Sequence, residues 1–382
     1  MVGKKLDTDN KCCRDYCIDC FYNTGDCDIW NYSVNFMIDQ LVVFPFLLAF
    51  VISCAVTSIV IRVYSALGWV DKSTKKDHPK NIHNSPVPRG GGVGIYMAIM
   101  LTTMIMVPFD THMAAIMVGA TILLVLGVLD DLYNISPYVR LLFGTLAAGV
   151  VVAAGIRIDF VSSPLGGVVD LSVLASWIPG FLAVVWIVWT MNFVNMGAKG
   201  LDGQLPGVVV VASIVVGVLS FRFVNDVTAW PSTIVTFSLA GAYLGLLVFN
   251  IYPQRIMPGW GGGALAGYFL AVLAIISGAK IATVLIVLGI PLMDVLYAVL
   301  RRLVAGKSPV WGDNQHLHHL LLKLGISKRT VAGIYWILTA ILGFVALQLD
   351  AKTKLYAIVM LAVLVGGVML WINLLLSQKR SE

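Results

Sequence analysis

Apolar runs long enough to cross a bilayer recur from Leu41 to about residue 376 and leave little chain for a water-soluble core. In hydrocarbon every backbone N–H and C=O must be paired inside the protein, so such runs become helices or a closed barrel. A barrel requires segments of about ten residues with strict alternation. Stretches such as Val43–Ile61 and Ile281–Leu292 do not alternate. A composition of 59% hydrophobic and 12% charged over 382 residues, with mean hydropathy +0.88, also lies outside the range of a soluble domain. The chain therefore reads as an all-α, polytopic transmembrane helix bundle, with no feature of a nucleic-acid binder.

Eleven spans are expected, at 41–63, 92–109, 114–129, 139–157, 179–195, 207–221, 232–249, 263–277, 281–300, 331–349 and 355–376. The third, sixth and eighth fall short of the usual length of about twenty residues, as in tilted or partly buried helices. With the loop after the first span inside, the cytoplasmic segments hold 17 Lys and Arg, against five outside and four in the N-terminal tail. Retention of basic residues on the inside then makes the N-terminus external and the C-terminus cytoplasmic. The expected organisation is a cysteine-rich external tail (1–36), a transmembrane domain (37–378) and a short cytoplasmic tail (379–382). In an external tail, Cys12, Cys13, Cys17, Cys20 and Cys27 favour disulfides over a metal site, with one thiol left over. No apolar segment of signal-peptide type precedes the first span.

Polar residues set between the spans carry the chemistry. From Thr190 to Gly207 two apolar runs are joined by amides, a lysine, an aspartate and several glycines. Such groups persist at membrane depth where they line a wet pocket holding something polar; the alternative is a solvated loop. The first cytoplasmic loop contains Lys80, His83 and Arg89 followed by Gly90, Gly91 and Gly92, a set suited to an anion or to anionic lipid. The third span ends in Asp130 and Asp131, with Asn134 on the face of Asp130. Adjacent carboxylates at a membrane boundary are tolerated when they hold a cation or share a proton, or when the helix end is simply solvated. Asp294 lies inside the ninth run and precedes Arg301 and Arg302. His316, His318 and His319 follow, too tightly spaced for a tetrahedral zinc site and better suited to donating to phosphates. Five of the six histidines, Asp130, Asp131, Lys199, Asp202, Arg255 and the glycine-rich stretch Gly259–Gly263 all fall on the expected cytoplasmic face. A site rich in cations and donors, open to the cytoplasm and walled by spans, suits a phosphorylated soluble substrate that meets a lipid.

Taken in order, these motifs resemble a known family, the polyprenyl-phosphate N-acetylhexosamine-1-phosphate transferases, from about residue 40 to 378. The motifs are Lys80-Asn-Ile-His83 with Pro86-Val-Pro88-Arg89-Gly90-Gly91; Asp130-Asp131-x-x-Asn134; Asn192-x-x-Asn195 with Gly200-Leu-Asp202-Gly203; Asn250-x-x-Pro253; Pro291-x-x-Asp294; and His316-Leu-His318-His319. The histidine loop resembles the N-acetylglucosamine branch more than the phospho-N-acetylmuramoyl-pentapeptide translocase. The resemblance implies transfer of N-acetylhexosamine 1-phosphate from a UDP donor to undecaprenyl phosphate, with release of UMP, in a bacterial plasma membrane. It would have Asp130 and Asp131 act on the lipid phosphate or position metal and sugar. Asn134 would hydrogen-bond nearby, Asn195 would ligate Mg²⁺ and Asp202 would meet the uracil. Lys80, His83, Arg89, Arg140, Asn192, Asp294 and the histidines would bind substrate. A homodimer stays open.

Two departures bear on the metal. Gly259 stands where the family carries its Mg²⁺-binding Asp, and an inserted residue leaves Lys199 where the family has an acidic residue. Both changes make the site more positive, so a weak or altered Mg²⁺ dependence is expected, with Lys199 offsetting phosphate charge or, alternatively, pointing into solvent. An inactive relative serving as a scaffold, and a transporter, are the other readings. The persistence of the carboxylates and histidines speaks against the first, and the lack of an inverted repeat against the second.

Overall fold

A computed structural model of the chain describes residues 37–71, 86–163, 167–277, 281–306 and 315–381. The cysteine-rich tail, Lys80 and His83 lie outside the described residues. Helices dominate: α1 (Phe44–Ala66), α2 (Gly91–Met106), α3 (Thr111–Tyr133), α4 (Pro137–Ala153), α5 (Ile178–Phe193), α6 (Gln204–Phe221), α7 (Trp230–Asn250), α8 (Gly259–Ile276), α9 (Ile281–Val287), α10 (Gly289–Val304), α11 (Leu317–Lys323), α12 (Lys328–Gln348) and α13 (Ala351–Ser381). Two antiparallel hairpins interrupt them, β1 (Val70–Asp71) with β2 (Val87–Pro88) and β3 (Phe160–Ser162) with β4 (Val168–Asp170).

The helix ends follow local chemistry. Asp110 caps α3 by accepting the Met113 N–H at 2.7 Å. Proline occupies the first turn of α4, α5 and α7, where its missing N–H costs nothing. Eight helical stretches are long and apolar enough to cross a membrane, or nine with α9 and α10 taken as one. The helices α2 and α4, at 16 and 17 residues, are shorter apolar helices.

The span expected at 281–300 is broken, with α9 and α10 meeting at 81°. Pro291 explains the break. A continuous helix would pair residue 291 with the Val287 carbonyl, and proline has no N–H to give and a ring that clashes there.

The bundle packs closely around α7 and α8, its most enclosed helices, while α1 and α13 turn most of their surface outward. Glycines set the closest approaches. A Cβ on Gly127 of α3 would lie 2.5 Å from Gly261 Cα of α8, so only glycine permits that backbone contact. Polar side chains bind helix to helix: Ser53 donates to the Ala242 carbonyl at 2.7 Å, Trp186 to Ala271 at 3.0 Å and Tyr268 to Ile116 at 2.9 Å. The N-terminal turn of α2 also donates to the loop before α8, through Gly91 N–H to Met257 at 2.9 Å and Gly92 N–H to Pro258 at 3.0 Å. This contact, the end of α3 and the α5–α6 loop lie at one end of the bundle.

Candidate active site at the helix ends

The sequence motifs converge on the segment between α5 and α6. Helix α5 passes directly into a π-helical turn, Val194–Ala198, which ends at Lys199. A π-bulge is the form a single inserted residue takes within a helix. It therefore gives the insertion inferred from sequence a physical shape.

Asp130 is buried, and its Oδ1 lies 2.7 Å from Arg140 Nε of α4. The N–H is not aligned along that line, so the contact is a charge pair rather than a hydrogen bond. Asp131 Oδ1 accepts the Trp260 N–H at 3.1 Å. Its Oδ2 lies over Gly259, where a Cβ would come within 2.0 Å. Arg89, just after β2, pairs with Asp71 of β1. The Lys199 ammonium interacts electrostatically with Asp131, Arg89, Asp130 and Arg140. Although some of the lysine's surface stays open, its ammonium is enclosed. Burial pushes it down to about 8, partly opposed by Asp131. A solvent-facing Lys199 ammonium does not fit this burial.

The histidine loop reaches the same segment from the other side. The His318 ring lies so close over Gly200 that a Cβ there would be 2.1 Å from its Nε2. His316 and His318 stack with planes 3° apart and centroids 5.6 Å apart, and His319 packs 4.3 Å from His318. Burial first, then His319 and His316, hold His318 well below its usual range, so its imidazole is neutral.

Several assignments shift in role. Asp294 was expected to bind substrate. It is fully buried, with Oδ1 accepting the Leu317 N–H at 2.8 Å and Oδ2 3.1 Å from His316 Nδ1. Both oxygens are committed to the histidine loop, so Asp294 positions that loop. Asn134 takes a left-handed conformation (φ 50°) that ends α3, which asparagine tolerates well, and its side chain is exposed. Asn192 is exposed and donates to its own helix at Val188, 2.7 Å away. Asp202 is buried on the segment joining the bulge to α6.

Sequence reasoning gave Asn250 no role beyond its motif, yet it clamps the site. Its Oδ1 accepts the Gly203 N–H at 2.9 Å, and its Nδ2 donates to Ile256 at 2.7 Å and to Gln254 at 2.8 Å. The Trp260 N–H and the Asp71 partner of Arg89 were also missed. The first is a backbone group without a sequence signal, and the second pairs only because β1 meets β2.

The residues present do not make a resident Mg²⁺ site. A hard divalent cation takes several oxygens, mostly carboxylate. Here Asp130 is paired with Arg140, Asp131 is engaged by Trp260 and Lys199, and Asn195 Oδ1 has neither accessible surface nor a hydrogen-bond partner. A Cβ on Gly263, not Gly259, would meet that Asn195 oxygen, at 2.1 Å, so the two expected metal positions do not face each other. Among the described residues no three His, Cys, Asp or Glu side chains stand close enough to share an ion.

The fold and site together define a multi-pass helical membrane protein with a site of clustered charges and histidines at the helix ends. The family model for glycosyl transferase family 4 matches residues 113–278. The chain is 29% identical over 320 residues to a probable undecaprenyl-phosphate N-acetylglucosaminyl 1-phosphate transferase of Bacillus subtilis, covering 82% of this chain and 86% of that one. It is 28% identical over 322 residues to a decaprenyl-phosphate N-acetylglucosaminephosphotransferase of Mycolicibacterium smegmatis, covering 74% and 78%. It is 27% identical over 280 residues to an undecaprenyl-phosphate alpha-N-acetylglucosaminyl 1-phosphate transferase of Escherichia coli K12, covering 70% and 73%. The chain is therefore similar, over residues 113–278 and along most of the length of these relatives, to glycosyl transferase family 4.

Proposed function

We propose that the protein transfers N-acetylglucosamine 1-phosphate from UDP-N-acetylglucosamine to a polyprenyl phosphate, undecaprenyl phosphate in a bacterial plasma membrane. The observation that carries this reading is the meeting of Arg89, Arg140 and Lys199 with Asp130 and Asp131 beside the loop that bears His316, His318 and His319. The names of the relatives support the donor and acceptor. In the reaction an oxygen of the lipid phosphate attacks the sugar-bearing phosphorus. A new P–O bond forms there, the bond to the bridging oxygen breaks, and that oxygen leaves with UMP. No net proton is needed. Two anions must approach, so fixed cations and donors lower the barrier by offsetting their repulsion. An apolar groove of about 350 Å³ runs along α3 past Ile122 and Val125 to Leu129, the residue before Asp130, and gives an isoprenoid chain a path to the site.

The finer topology belongs to the same proposal: eleven spans, counting α2, α4 and the broken pair, with the N-terminus outside and the site on the cytoplasmic face. Purified protein supplied with UDP-N-acetylglucosamine and undecaprenyl phosphate should yield a lipid-linked diphosphate sugar and UMP, and should exchange labelled UMP into the donor. Asp130→Asn and Asp131→Asn should each lose both activities while staying folded. Near-normal turnover in both variants would remove the assigned site, and preference for a muramoyl-pentapeptide donor would overturn the substrate.

A further inference from the structure

The charges at the site nearly cancel before any ligand arrives: Asp71, Asp130 and Asp131 face Arg89, Arg140 and Lys199. A divalent cation added to this set would find no free carboxylate pair. Asp131 offers only an Oδ2 that packs over Gly259, and Gly259 (φ +68°) has a backbone conformation that an L side chain rarely adopts. No carboxylate can be supplied from that position without displacing Asp131. Asn195 is closed against Gly263. Among the described residues, Lys199 brings an ammonium to this centre from the end of the π-helical turn.

We propose that Lys199 replaces a divalent cation in this protein: its ammonium, held among Asp131, Asp130, Arg89 and Arg140, neutralises the sugar diphosphate, and UDP-sugar binding is independent of metal. The proposal rests on the transferase reading and concerns only how its charge is offset. A lone ammonium has no coordination geometry. The guanidinium groups of Arg89 and Arg140 supply directed donors beside it. When a diphosphate enters, its oxygens add to the negative groups that already act on the Lys199 ammonium.

The test is binding of UDP-N-acetylglucosamine to the purified full-length protein, by calorimetry, in EDTA and in saturating Mg²⁺, together with direct titration of Mn²⁺ by paramagnetic resonance. The expected result is the same Kd in both media, no saturable Mn²⁺ binding, and a Kd weakened about tenfold or more in Lys199→Gln but kept in Lys199→Arg. A Kd that depends steeply on Mg²⁺ in the parent, or saturable Mn²⁺ binding that Lys199→Gln leaves unchanged, overturns the proposal. Loss of binding in Lys199→Gln with an unchanged melting temperature separates a charge role from a folding defect. Failure of the parent to bind UDP-sugar in either medium overturns the transferase reading itself, and the proposal with it.

Discussion

Lys199 gives the site a pH dependence with a definite sign. Its ammonium is lowered to about 8, mostly by burial, with Asp131 and Asp130 raising it and Arg89 and Arg140 lowering it. UDP-sugar affinity should therefore fall as pH rises through about 8, and Lys199→Arg, whose guanidinium stays charged, should hold affinity to higher pH. For stability the sign is opposite. The folded state binds the lysine proton less well than the unfolded chain does, so this group makes the fold more stable as pH rises from about 8 toward 10.5. Calorimetric Kd and melting temperature followed over the same pH range check both, and an alkaline loss of affinity in Lys199→Arg equal to that of the parent would exclude Lys199 as its origin. Asp294 permits a second test at this scale. Asp294→Ala leaves the Leu317 N–H and His316 Nδ1 without their buried partner, a loss of about 1–3 kcal/mol for each unsatisfied group. The melting temperature should drop and UDP-sugar binding should weaken, because the histidine loop loses its anchor. Unchanged binding would detach that loop from the site.

At the scale of elements, the apolar runs marked the long apolar helices to within about five residues, since hydrophobic length carries that information directly, but gave no sign of the short α11. The bend between α9 and α10 was not legible as a bend, because both sides are apolar and Pro291 was the only signal. The chemistry-bearing residues were legible as motifs, but their division of labour was not. Asp294 looks like a ligand in sequence and acts as a clamp, and Asn250, which the sequence left without a role, also clamps, differences that only their partners reveal. The π-bulge was visible only as one residue too many. Deleting Ala198, which is buried in the bulge, should restore a regular helix and rotate Lys199 by about 100° away from Asp131. UDP-sugar binding should be lost while the protein still inserts and melts cooperatively; retained binding would show that the bulge does not place Lys199. Gly259→Asp makes the converse point. The new Cβ would meet Asp131 Oδ2 at 2.0 Å and the Arg89 carbonyl at 2.8 Å, in a left-handed conformation that costs about 1–2 kcal/mol. This variant should melt lower and gain no Mg²⁺ dependence, as read from its melting curve and from Kd in EDTA against Mg²⁺.

For the whole molecule, the decisive question is which side of the membrane the site faces. Packing alone places the start of α2, the end of α3, the π-bulge, the loop before α8 and the histidine loop together, because Gly91 bonds to Met257, Trp260 to Asp131, and His318 lies on Gly200. That end also carries Arg89, Arg140, Lys199, Arg255 and Arg329, whereas the connection with β3 and β4 has a single basic residue, Arg157. Because basic loops are retained in the cytoplasm, the proposed orientation has the site end facing inward and the β3–β4 hairpin facing outward. Single cysteines in a protein stripped of its six native ones read this out. Ser136, between α3 and α4, and Ser176, after β4, are both exposed. With a membrane-impermeant maleimide on intact cells, Ser176→Cys should react and Ser136→Cys should not, and both should react after lysis. Labelling of Ser136→Cys alone in intact cells would invert the orientation and move the site to the wrong side for a cytoplasmic nucleotide donor.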